Sequence, residues 1–350
     1  MSDLVALWPD VLGRLLRREE LPPELAEAAL GSVLSGEATD AQIAAFATTL
    51  RAKGETPAEL AALVRAMLAR SETVEVDDTG PLVDTCGTGG DRAGTVNVST
   101  MAALIAAGAG ARVAKHGNRA ASSRCGSADV LDALGVVIDL GPKGVARCIT
   151  EAGIGFCFAP RFHAALRFAA AARSQLGVPT TFNYLGPLAN PAGAARRTVG
   201  VSDPAMAERI VGALAELGVE RALVFYGHDG LDELTTTTTS TMFELRDGAI
   251  RRSDLDPTTL GLARVERAAL AGGDAAGNDQ AVHRVLAGQR GPVRDVAALN
   301  AAAAIVVAGL ADGLDDGLAQ AADAIDDGRA AAALDAFVRT SVAARDAEAA

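Results

Sequence analysis

The sequence predicts an α/β protein in two parts: a small all-helical domain, then a large α/β domain built on a mostly parallel central sheet. Three observations predict it. Residues 1–75 carry helical signals only, short apolar runs alternate with helical segments from about residue 80, and residues 295–345 are Ala-rich and helical. Alternation of strand and helix implies crossover connections, which make the strands parallel and cover both sheet faces with helices.

In the first part, Thr39-Asp40-Ala41-Gln42 and Thr56-Pro57-Ala58-Glu59 both have capping-box spacing, the second with Pro at the first helical position. Leu60, Leu63, Val64, Met67 and Leu68 follow with helical period, and Gly54 parts the two helices. The second part predicts strands at 82–85, 111–114, 136–140, 154–158, 197–201, 222–226 and 242–246, with helices at 98–107, 128–134 and 143–152. Residues 162–176 read as one helix and 180–191, rich in Pro, Gly and Asn, as irregular chain. A segment within 162–195 is expected to complete the helical domain of residues 1–75, leaving 76–350 as the α/β domain. The five threonines 235–239 are β-branched and suit a strand.

Composition narrows the function. The 350 residues are 49% hydrophobic but only 3% aromatic, so Ala, Leu and Val fill the core. No uncharged apolar run reaches the ~18 residues of a membrane span, so no membrane partner is expected. The opening MSDLVALWPDVLGRLLRREE lacks the basic start, apolar block and cleavage site of a secretory signal, which points to the cytoplasm. Cys86, Cys125, Cys148 and Cys157 form no C-x-x-C pair and read as small buried hydrophobes. A net charge of −12 argues against nucleic acid as the main partner, although local donors can still bind a small anion. Lysine occurs only at 53, 115 and 143. In a chain that otherwise uses Arg, a retained Lys marks a place where the two are not interchangeable, and Lys115 stands inside a motif.

Five segments carry chemistry. Gly87-Thr88-Gly89-Gly90-Asp91 follows a strand and can turn tightly to aim backbone N–H groups at an anion, although an ordinary Gly-rich turn looks the same. Asn97-Val98-Ser99-Thr100 opens an apolar helix, where short polar side chains donate to phosphate or simply cap, and the Ser99 hydroxyl can ligate a hard cation. Lys115-His116-Gly117-Asn118-Arg119-Ala120-Ala121-Ser122-Ser123, with Ser127 beyond, has the composition of a phosphate cradle between strand and helix. Asp232-Glu233 can hold Mg²⁺, which takes one or two carboxylates plus phosphate oxygens, or can be a solvated acidic turn. Arg173 can grip a carboxylate with its fork, or be a surface arginine.

Together, DTCGTGGD (84–91), NVST (97–100), KHGNRAASSRCGSADVLDALG (115–135), RSQLGVPTTFNYLGPLANP (173–191) and HDGLDEL (228–234) resemble the anthranilate phosphoribosyltransferase family of tryptophan biosynthesis, in the family's order and over nearly the whole chain. The resemblance implies the nucleoside phosphorylase/phosphoribosyltransferase-like fold and a homodimer formed through the helical domain. It implies that Gly87, Gly90, Asp91, Thr95, Asn97, Val98, Ser99, Thr100, Lys115, His116, Gly117, Asn118, Arg119, Ala120, Ala121, Ser122, Ser123 and Ser127 surround phosphoribosyl pyrophosphate (PRPP). It further implies that Ser99, Asp232 and Glu233 serve two Mg²⁺ per subunit, and that Gly87, Asn118 and Arg173 line the anthranilate path. No general base is assigned. Where the family often has Pro after His163, this chain has Ala164, which should alter a helix start. A pyrimidine nucleoside phosphorylase would not need the paired carboxylates. A nucleic-acid-binding relative of the same fold would need a basic surface.

Overall fold

A computed structural model describes residues 2–77, 80–120 and 124–350. The chain opens with α1 (Ser2–Leu16), α2 (Pro23–Leu34), α3 (Asp40–Lys53) and α4 (Pro57–Leu68). Both capping boxes form, at Thr39 with Gln42 and at Thr56 with Glu59. Glu59 does more than cap: its carboxylate also accepts from the Leu21 N–H at 2.8 Å and pairs with Lys53 at 2.8 Å. Lys53 therefore has a structural partner of its own.

The α/β part runs β1 (Leu82–Gly87), α5 (Val98–Gly108), β2 (Arg112–Gly117), α6 (Ser127–Ala133), α7 (Pro142–Ala152), β3 (Ile154–Phe158), α8 (Ala159–Phe162), α9 (Ala170–Leu176), α10 (Phe182–Leu185), β4 (Arg196–Gly200), α11 (Pro204–Glu216), β5 (Arg221–Gly227), β6 (Ser240–Arg246), β7 (Ala249–Leu255), α12 (Ala275–Leu286), α13 (Pro292–Val307), α14 (Leu314–Asp326) and α15 (Arg329–Glu348). The 7-stranded sheet has the order β3-β2-β1-β4-β5-β6-β7. Strands β1 to β5 are parallel, and β6 and β7 add an antiparallel hairpin.

The two sheet faces feed different cores. Leu223 and Phe225 of β5 belong to the core built on α5, α13 and α15, whereas Ala222 and Val224 belong to the core built on α11 and the N-terminal helices. That period of two is what a strand buried on both faces produces. Within 162–195, Ala169, Ala172, Phe182 and Leu185 share a core with the N-terminal helices, and the Thr181 hydroxyl donates to buried Glu55 at 2.6 Å.

Several sequence expectations need correction. Residues 136–140 are not a strand. Val136, Ile138 and Leu140 are buried alternately, but the Val137 N–H donates to the Ser341 hydroxyl of α15 instead of joining the sheet. Residues 235–239 are not a strand either. The hydroxyls of Thr235 and Thr237 donate to the Asp229 carboxylate at 2.8 and 2.5 Å, and that local bonding outcompetes β propensity. Residues 162–176 break at His163, whose buried ring bridges Ser71 and the Ala189 carbonyl, so Ala164 starts a 3₁₀ turn and not an α-helix. Strand β7 escaped the sequence reading because six of its seven positions are exposed. The signal lay beside it: Asp247-Gly248, both at positive φ, is a two-residue hairpin turn.

Candidate functional site

The chain adds β2 and β3 on one side of β1, then returns to place β4 on the other. That reversal opens a crevice beyond the carboxyl ends of β1 and β4, where open α/β sheets bind ligands. The loop after β1 and the loop after β5 meet there. The Gly89 N–H donates to the Asp232 carboxylate at 2.7 Å. A side chain at Gly87 would strike that carboxylate at 2.5 Å, and one at Gly200 would lie 1.6 Å from the Asp232 carbonyl oxygen. Both strand ends must be bare for the acidic loop to sit where it does.

Lys115 enters the same place from β2. It is 2% exposed, and its ammonium donates to the Thr85 carbonyl and to the Ser99 hydroxyl, the latter at 3.3 Å. Burial lowers its pKa, opposed by Asp84, Cys86 and Glu233. Glu233 is pushed well up by burial and by Asp232, opposed by Lys115 and by the Ser99 N–H. Asp232 is pushed up to about 7 by burial and by neighbouring Asp91. Three acids thus crowd beside a single lysine. Among the described residues no three His, Cys, Asp or Glu side chains form an all-protein metal cage. Hard oxygens from two carboxylates and a serine hydroxyl fit a cation that completes its shell with ligand oxygens and water.

The helix start at 97–100 departs from expectation. Asn97 caps nothing. Its amide donates to the Cys125 carbonyl at 3.1 Å and accepts from Asn278 at 2.7 Å, tying α5 to the 117–127 loop and to α12. Val98 and Thr100 are buried, so Ser99 alone of the four turns a hydroxyl to Lys115. Thr95 forms an isolated bridge with Ala271, and the Asp91 carboxylate accepts from the Ala93 N–H at 3.0 Å.

The 117–127 loop is closed by its own groups. The Asn118 carbonyl accepts from the Ala128 N–H at 3.1 Å and the Ser127 hydroxyl at 3.2 Å, and a side chain at Gly117 would meet that hydroxyl at 2.2 Å. Arg119 is spoken for: its guanidinium pairs with Asp129 at 2.8 Å and Asp132 at 3.1 Å. The Ala120 N–H also donates to Asp129. Ala121, Ser122 and Ser123 lie outside the described residues. The His116 N–H donates to buried Asp84 at 2.9 Å and its Nδ1 donates to the Gly186 carbonyl, while burial lowers the ring to about 4. The His116 ring is therefore neutral near pH 7 and is tied to the segment that carries Gly186.

Arg173 stands apart on α9. It is half-buried, its guanidinium lies over the Phe182 ring, and no carboxylate among the described residues pairs with it. Asp84, Gly200, Asn278 and Asn300 also bear on the site and were missed. Asn300 had a signal, a lone amide in the apolar run AALNAAAA. Gly200 had none, because only the fold reveals its contact.

Comparison with known proteins agrees with this architecture. Residues 79–331 match the α/β-domain model of a glycosyl transferase family, and residues 9–71 match that family's helical bundle domain. The chain is 53% identical over 320 residues to anthranilate phosphoribosyltransferase of Rhodococcus jostii, covering 90% of this chain and 88% of the relative. The crystal structure of the Thermus thermophilus enzyme of that name superposes with a TM-score of 0.90 at 40% identity, over 95% of this chain and 99% of that one. The Saccharomyces cerevisiae enzyme in complex with PRPP and Mg superposes with a TM-score of 0.88 at 26% identity, over 97% and 98%.

Proposed function

The chain belongs to the anthranilate phosphoribosyltransferase family, and we propose that it transfers the phosphoribosyl group of PRPP to the amine of anthranilate, giving N-(5-phosphoribosyl)anthranilate and pyrophosphate. One observation carries the reading: Gly89, Ser99, Lys115, Asp232 and Glu233, from four segments, meet at the switch point of the sheet. The relatives fit this activity and neither the nucleoside phosphorylase nor the nucleic-acid-binding alternative.

PRPP would sit over the loop after β1, the N-terminus of α5 and the 115–127 segment. Lys115 and the first N–H groups of α5 would face charge developing on the departing pyrophosphate. Ser99, Asp232 and Glu233 would hold Mg²⁺, with Asp91 close by and room in the donor set for the two ions the family resemblance implies. Bound Mg²⁺ supplies neutralisation of the pyrophosphate charge. Arg173, with no carboxylate paired to it among the described residues, would take the carboxylate of anthranilate, with Gly87 and Asn118 along its path, and so aim the amine. An aromatic amine is uncharged near neutral pH, so no strong base is needed to create the nucleophile, and the proton it loses as the C–N bond forms can pass to water. The division into residues 1–75 and 76–350, homodimerisation through the first part and a cytoplasmic location complete the proposal. No helix of the described residues is long and apolar enough to cross a membrane.

The test is the loss of anthranilate fluorescence on mixing with PRPP. Turnover that needs both PRPP and Mg²⁺ is expected. No turnover under any Mg²⁺ concentration would reject the activity.

A further inference from the structure

α13 is a buried, Ala-rich helix of the α/β core, and within its run AALNAAAA Asn300 is the one side-chain amide. It is 3% exposed. Its Oδ1 accepts from the Leu234 N–H at 3.0 Å, and its Nδ2 donates to the Leu234 carbonyl at 2.9 Å and to the Val296 carbonyl of its own helix at 2.9 Å. One amide therefore grips both polar groups of a single loop residue and is itself anchored to the helix. Leu234 directly follows Asp232-Glu233, and its side chain is fully buried.

The acidic loop is otherwise held unevenly. Upstream, the Gly227 N–H donates to the Leu231 carbonyl and the Leu231 N–H to Asp229. Downstream, the Thr235 N–H donates to the Ser240 hydroxyl. The Asp232 carboxylate has its own donor in Gly89, and its carbonyl abuts Gly200. The Glu233 carboxylate faces the Ser99 N–H of α5, and its main chain is tied to a rigid helix one residue on, through Leu234.

We propose that Asn300 is a positioning residue for divalent-cation binding: its two-point grip on Leu234 sets where the Glu233 carboxylate stands relative to Ser99 and Lys115. The proposal rests on the reading that Asp232 and Glu233 hold Mg²⁺. Groups that orient metal ligands without touching the metal typically change affinity by 10- to 100-fold when removed.

The test is a double-mutant cycle on the full-length chain, using Asn300→Ala, Glu233→Gln and both together. Two quantities are read: the Mg²⁺ concentration giving half-maximal turnover, and the rise in thermal midpoint on adding Mg²⁺ at fixed PRPP. Asn300→Ala is expected to raise half-saturation by roughly 10-fold, to shrink the Mg²⁺-induced rise, and to leave the anthranilate KM unchanged. In the Glu233→Gln background, Asn300→Ala should add nothing to the Mg²⁺ requirement while still lowering the midpoint without metal. Asn300→Ser, whose hydroxyl can bond Val296 but cannot span both Leu234 groups, serves if the Ala variant does not fold and should behave likewise. Equal effects on Mg²⁺ half-saturation in both backgrounds, or an unchanged requirement in Asn300→Ala and Asn300→Ser, would overturn the positioning role. An unchanged requirement in Glu233→Gln itself would instead remove the metal reading beneath it.

Discussion

Two sheltered cations in this protein live under opposite conditions. Lys115 is surrounded by oxygens that the fold provides: the Thr85 carbonyl, the Ser99 hydroxyl, and the fields of Asp84 and Glu233. Arg173 has an aromatic ring and burial that lowers its pKa, with no carboxylate among the described residues to offset it. The first region is electrostatically complete on the protein's own terms except for an excess of carboxylates. The second lacks an anion. Two complementary shortages result: one region wants a cation and the other a carboxylate, and the proposed donor with its Mg²⁺ and the proposed acceptor would supply one each.

The comparison can be broken most forcefully at the carboxylates. Replacing Asp232 and Glu233 together by Ala is expected to cut Mg²⁺-dependent turnover roughly a thousand-fold or more, since metal stabilisation of a leaving group is worth several kcal/mol. Steady-state kinetics across a Mg²⁺ titration checks this, and retained activity would move the cation elsewhere. On the acceptor side, Arg173→Ala should raise the anthranilate KM by about 10- to 150-fold, the equivalent of a charge-assisted contact. The KM for PRPP should stay within a few-fold, and equal increases in both would erase the distinction between the regions.

The smallest expected effect concerns pH. His116 is lowered to about 4 and His163 to about 3 by burial, and the rings meet edge to face at 5.0 Å. Their folded values lie below the unfolded value near 6.5, so the unfolded chain binds protons first as pH falls. Stability present above about pH 6.5 is therefore lost toward pH 4, on the order of 2 kcal/mol per ring at pH 5. His163→Gln keeps a donor for the Ala189 carbonyl but does not titrate. Its denaturant midpoint should fall less between pH 7 and pH 5 than that of the parent, and parallel curves would show that the pair does not govern acid sensitivity.

The sequence made the parallel core legible because buried strands and capped helices leave local signs: the two capping boxes, and the apolar runs that became β1 to β5. It failed where local pattern and long-range bonding disagree. Residues 136–140 alternate like a strand, but the Val137 N–H goes to Ser341 of α15, and the threonine run folds onto Asp229. At the site, Gly87, Lys115, Asp232 and Glu233 were visible by residue type and motif. The diversion of Arg119 to Asp129 and Asp132, and of Asn97 to Asn278, was not, because each partner lies 10 or more positions away and nothing local marks it.

The bare Cα of Gly200 has a consequence for how this chain can drift. Elsewhere alanine is abundant, above all along the C-terminal helices. At this strand end a single methyl would collide with the main chain of the opposite loop, which has no rotamer to yield. The position is therefore closed to alanine, the smallest change that would add a carbon there.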